Sequence, residues 1–150
     1  MADLLVANFE KIYREFRLQL YKDIFKIINQ KKGALSALEF FSAEVIFLLG
    51  KPTISEVAEF LDISSSHATY RLKSLIEKGF VEKFPSAEDG RVFTLATTKK
   101  FDDFYHKEDY YGTYIMKKLS KELEPENRDI ISNLLELILT QIDLKKGDKQ

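Results

Sequence analysis

The stretch Thr53–Leu95, TISEVAEFLDISSSHATYRLKSLIEKGFVEKFPSAEDGRVFTL, changes its hydrophobic period from helical to alternating within one short segment. Thr53 with Glu56 is the Ser/Thr-x-x-Glu start of a helix that runs only to about Phe60. Ser64 caps a second helix, which continues to Lys78 and stops at Gly79, the residue that a left-handed C-terminal cap favours. Phe80–Phe84 and Val92–Leu95 then have the composition of two strands, joined by a polar turn carrying Asp89-Gly90-Arg91. Two short helices, a glycine stop and a hairpin in this order predict a winged helix-turn-helix, a unit suited to laying its second helix in a DNA groove.

Placing side chains at about 100° per residue divides that second helix into two faces. Ala68, Leu72, Leu75 and Ile76 cluster on the side expected to pack against Val57, Ala58 and Leu61 of the first helix. Ser66, Tyr70 and Lys73 point the opposite way, flanked by Thr69 and Ser74, with Arg71 near the apolar boundary. Ser64, Ser65 and His67 stand at the N-terminal end, where backbone amides also meet phosphates. No acid occurs from Ile63 through Ile76, although the chain holds 24 and its net charge is -1. The bulk charge argues mildly against DNA; this local distribution argues for it. In the turn, an arginine at a hairpin tip suits the narrow minor groove, and Asp89 is placed to hold the Arg91 guanidinium.

The flanks are helical. Apolar residues recur at three- and four-residue spacing from Leu4 to Ile28, and Ser36 with Glu39 opens a further helix as a capping box. After Thr98 the helical spacing returns, and Glu124-Pro125-Glu126 opens a last helix. The predicted class is mainly α (α+β), a single domain over 1–150. Within it, 34–98 forms the winged helix-turn-helix lobe with its two-stranded wing.

This order resembles the MarR (multiple antibiotic resistance regulator) type of transcriptional regulators. The most specific parts are Ile54-Ser55-Glu56-Val57-Ala58, Ile63-Ser64 with Thr69, Leu75 through Val81, and Asp89-x-Arg91. The resemblance implies a cytoplasmic homodimer, with residues 1–33 and 99–150 as dimerisation helices, reading a pseudo-palindromic double-stranded operator as a repressor. It implies DNA contacts from Ser64, Ser65, Ser66, His67, Thr69, Tyr70, Arg71 and Lys73, with Arg91 in the minor groove and Asp89 as its orienter. Four positions depart from the family's pattern. Asp62 stands where Gly is usual, Tyr70 replaces a frequent Arg, and Gly90 replaces a frequent basic residue. Thr97-Thr98-Lys99-Lys100 lacks the Gly that often follows the exit from the wing.

The resemblance also implies a pocket for a small aromatic or apolar effector, lined by Tyr13, Phe16, Phe40, Phe41, Phe47, Phe101, Phe104 and Tyr105. Aromatic residues at helical spacing equally fill cores and interfaces. His106 with Asp102, Asp103 and Asp109 makes a charged helical face better suited to solvent than to a metal, and neither a metal nor a cofactor is expected. The chain has no cysteine, which excludes disulfides and thiol redox sensing. No apolar run approaches the ~20 residues that span a bilayer, so no membrane partner is expected. Without a Gly-rich phosphate loop or a triad motif, an enzyme is not expected. The alternative function is a winged-helix protein-interaction module without DNA binding.

Overall fold

The computed structural model describes residues 3–30, 34–105 and 111–147, with side chains to residue 143. The elements are α1 (Leu4–Gln30), α2 (Ala37–Leu49), α3 (Ile54–Phe60), α4 (Ser65–Glu77), β1 (Val81–Pro85), β2 (Phe93–Thr97), α5 (Lys99–Tyr105), α6 (Tyr111–Glu122) and α7 (Pro125–Gly147). They fall into two compact units, Met1–Glu108 and Asp109–Gln150.

In the first unit both predicted capping boxes form. The side chains of Ser36 and Thr53 each accept the amide three residues on, while Glu39 and Glu56 reach back to the cap amides. The two helices of the helix-turn-helix end in the same way. At the end of α4, Phe80 N–H donates to Leu75 O and Gly79 N–H to Ile76 O, with Gly79 at φ +74°. At the end of α3, Ile63 N–H donates to Ala58 O and Asp62 N–H to Glu59 O, with Asp62 at φ +52°. Both are Schellman caps, and Asp62 occupies the left-handed position in the first of them. This gives the aspartate in the turn its physical reason.

The wing strands pair antiparallel from Val81↔Thr97 to Pro85↔Phe93. Each is shifted from its expected span. Phe80 is drawn into the α4 cap, and Val92 into the wing loop, where its carbonyl accepts from Ser86 and its amide donates to Asp89. A third edge was not foreseen: Thr53 bridges Thr94, and Leu95 N–H donates to Pro52 O at 2.8 Å. This bridge ties the entry to α3 onto the wing.

The core joins Phe40, Ile46, Val57, Leu72, Leu75 and Leu95, all essentially without solvent contact. Ile76, expected with them, is 36% exposed. Ala68, Leu72 and Leu75 define the buried stripe, and Ile76 lies roughly 80° off its centre. Along α1, by contrast, Ile24 is the buried residue, while Leu4, Leu5, Phe9 and Ile12 stay exposed.

The second unit begins with α6, which buries none of its side chains. Pro125 opens α7 at the first helical position, as predicted, and Arg128 Nη2 donates to Leu123 O at 3.1 Å across the corner. Ile130, Leu134, Leu135 and Ile142 of α7 are exposed; Ile131 and Ile138 are half-buried. Among the described residues, no helix is long and apolar enough to cross a membrane.

Candidate nucleic-acid interface

The N-terminal half of α4 is built from short polar side chains that first serve the helix itself. Ser64 Oγ accepts the His67 amide at 3.2 Å and lies 3.1 Å from Ser66 Oγ. Thr69 Oγ1 donates to Ser65 O at 2.8 Å, and its oxygen can still accept. Ser65, Ser66, His67, Thr69, Tyr70 and Lys73 are exposed, Tyr70 by 78%. Arg71 is half-buried, at the apolar boundary where the helical angle placed it. Lys73 Nζ lies 3.7 Å from Glu77, an exposed pair of small energetic value that a phosphate can displace.

A groove of about 580 Å³ runs along this face. On one side are His67, Tyr70, Arg71, Lys73, Ser74 and Glu77; on the other are Ser36, Leu38 and Glu39 from the start of α2. Ser36, Leu38 and Glu39 were not anticipated as neighbours of the second helix, because nothing in the local sequence brings α2 to α4. In the groove wall, Glu39 Oε1 accepts from Ser74 Oγ at 2.6 Å and from Lys78 Nζ at 2.8 Å. Partial burial alone would raise the Glu39 carboxyl. The Lys78 ammonium, the Ser36 amide and the hydroxyls of Ser74 and Ser36 outweigh it and hold the group down to about 2.

In the wing, Asp89 acts on the backbone of Arg91. Its Oδ1 accepts the Arg91 amide at 2.9 Å, an Asx turn where a side-chain fork was expected. Arg91 itself is exposed beside Val92 and Phe93. Lys83 stands over the Phe93 ring at 4.2 Å, and Lys51 over Phe84 at 5.8 Å. Both cation–aromatic pairs depend on strand pairing and loop placement, so they left no local signal in the sequence.

The eight aromatic residues considered for an effector are distributed unevenly. Phe40, Phe101, Phe104 and Tyr105 are buried and in mutual ring contact, with Phe40 4.9 Å from Tyr105 and 5.7 Å from Phe101. Phe41 meets the edge of this cluster at 6.0 Å from Phe40. Tyr13 stacks on Phe9 at 6.1 Å on the exposed side of α1, Phe16 is half-buried, and Phe47 is exposed. His106 and Asp109 lie outside the described residues; within these, no three His, Cys, Asp or Glu side chains form a metal-sized cluster.

Residues 46–93, from the second half of α2 to the start of β2, match the MarR family model. This segment, which holds the helix-turn-helix and most of the wing, is similar to the MarR family. The HTH-type transcriptional regulator YpoP of Bacillus subtilis strain 168 is 24% identical over 143 residues, covering 95% of this chain and 96% of its own. Among solved structures, the transcriptional regulator Tm0710 of Thermotoga maritima is similar with a TM-score of 0.57 at 22% identity, covering 96% and 99% of the two chains. FabT of Streptococcus pneumoniae, solved in complex with DNA, is similar with a TM-score of 0.51 at 21% identity, covering 90% and 99%. These likenesses show a shared fold over nearly the whole chain, beyond the segment that the family model matches.

Proposed function

We propose that the chain is a sequence-specific DNA-binding transcriptional regulator that acts as a homodimer on a pseudo-palindromic operator. The observation that carries this reading is the exposed, acid-free polar face of α4 from Ser65 to Lys73, accompanied by Arg91 on the wing. Ser65, Ser66 and Thr69 suit phosphates and base edges, and Tyr70 offers a flat apolar surface to a thymine methyl or a sugar. Arg91 supplies a cation for the minor groove. The DNA complex of FabT, which shares the fold, supports the same use of the winged helix.

Dimerisation is supported by apolar surface in each unit. Leu4, Leu5 and Phe9 of α1 are exposed, as are Ile130, Leu137 and Leu139 of α7. A second copy is the natural cover for such helical faces, and it would place two α4 helices about one DNA turn apart. Occupancy of an operator by this dimer obstructs polymerase, which makes repression the expected outcome. A small aromatic or apolar effector is part of the same reading, bound near the aromatic residues of α1, α2 and α5.

The test is selection of duplexes from a random pool by the purified full chain. A two-fold related pair of half-sites about 10 base pairs apart is expected. Enrichment of no duplex contradicts the proposal.

A further inference from the structure

One carboxylate serves two helices. Glu39 Oε2 accepts the Ser36 amide at 2.8 Å and so closes the α2 capping box. Its Oε1 accepts the Ser74 hydroxyl at 2.6 Å, and Lys78 Nζ reaches Oε1 and Oε2 at 2.8 and 2.9 Å. Ser74 and Lys78 are one turn apart on the same flank of α4. The Glu39 side chain is only 15% exposed, so these are short, charge-assisted bonds in a partly desolvated place.

The same end of α4 is also held from its other side. Lys100 Nζ donates to Lys78 O at 2.7 Å, and Thr98 Oγ1 to Gly79 O at 2.7 Å. The C-terminal end of α4 is thus fastened to α2 and to the start of α5. The exposed polar residues lie toward its N-terminal end. From Ser74 to Ser66 is roughly 12 Å along the axis, so a tilt of about 5° at the fastened end moves Ser66 by about 1 Å. That displacement exceeds the tolerance of a directional hydrogen bond to a base edge, whereas attraction to phosphates barely changes.

We propose that Glu39 is a positioning residue for DNA reading: by bonding Ser74 and Lys78 it sets the angle at which α4 meets the groove, and with it sequence selectivity. The inference rests on the DNA-binding reading above and adds to it a residue that, as an anion, offers phosphate no attraction. Glutamine also satisfies a capping box, so Glu39→Gln keeps the start of α2 while removing the charge that holds Lys78.

The experiment compares the full-length wild type with Glu39→Gln, Lys78→Met, their double variant and Ser74→Ala. Each is titrated with the duplex that the wild type selects from a random pool and with a scrambled duplex of equal length and composition. Circular dichroism at the binding temperature confirms folding. The ratio of selected to scrambled affinity is expected to fall about 5- to 10-fold in each of Glu39→Gln and Lys78→Met, and no further in the double variant. Ser74→Ala, the mildest change, is expected to lower the ratio about 2- to 3-fold and carries the test if Glu39→Gln does not fold.

A field effect of the lost charge moves both affinities together and leaves the ratio at its wild-type value, as does a purely stabilising role. An unchanged ratio in the folded variants, beside a selective wild type, overturns the positioning role alone. Losses that multiply in the double variant overturn it as well. A wild type that selects no duplex contradicts the DNA-binding reading itself, and the positioning role falls with it.

Discussion

The Tyr105 hydroxyl donates to Glu44 Oε1 at 2.7 Å, joining the end of α5 to the middle of α2 across 61 positions of sequence. Glu44 is 9% exposed and sits among the aromatic rings around Phe40. Tyr105→Phe removes the donor while keeping the ring, leaving a buried carboxylate short of a partner. The expected loss is about 1–3 kcal/mol of unfolding free energy. Urea denaturation checks it, through a lower midpoint at unchanged slope.

Glu39 gives the protein a defined acid sensitivity. Its carboxyl is held at about 2 in the folded state, below the ordinary value of 4.5, so between these pH values the unfolded chain binds more protons. The stabilisation is therefore complete above about pH 4.5 and is lost as pH falls through about 2. Unfolding of wild type and Glu39→Gln followed from pH 7 to 2 is expected to show a gap that narrows through this window. A gap of constant size contradicts the assignment.

Gly79 and Asp62 hold equivalent places in the two Schellman caps but differ in what a substitution does. A Cβ at Gly79 meets only Lys100 Cδ, at 3.9 Å, so Gly79→Ala is limited by its φ of +74° and not by space. The expected cost is about 1–2 kcal/mol. For Asp62→Gly, relief of the left-handed backbone and the greater freedom of the unfolded chain offset each other, and a change of less than about 0.5 kcal/mol is expected. Thermal unfolding of both variants measures the contrast.

Arg91 tests the wing separately from α4. Its amide is bonded to Asp89 and its side chain is exposed, so Arg91→Ala leaves the fold's core intact. Affinity for the selected duplex is expected to drop about 5- to 10-fold, in keeping with about 1 kcal/mol or more for a desolvated charged contact, while thermal stability stays within about 0.5 kcal/mol of wild type. Anisotropy titration reads the first and calorimetry the second.

Local devices were legible in the sequence. Ser36 with Glu39, Thr53 with Glu56, the Gly79 stop and Pro125 at the start of α7 all act within a few residues, and each is found in its expected place. The exposed face of α4 followed from helical angles alone. Features that depend on distant segments did not show. The Thr53↔Thr94 bridge rests on one residue of strand, too short for an alternating pattern. Glu39 announced itself only as a cap, because its bonds to Ser74 and Lys78 span 35 and 39 positions. Ile76 is expected in the core as a neighbour of Leu72 and Leu75, but it lies roughly 80° from the centre of their stripe and stays partly exposed. Asp89 was given a side-chain task where the turn uses it for the backbone.

The most direct measurement is the salt dependence of binding between the full chain and the duplex that it selects. In the proposed dimer, contacts from two α4 helices and two wings would displace condensed counterions, so log affinity is expected to fall linearly with log salt, by about a thousandfold between about 50 and 200 mM. A folded protein that binds no duplex at the lowest salt contradicts the account, as does one whose affinity is indifferent to salt.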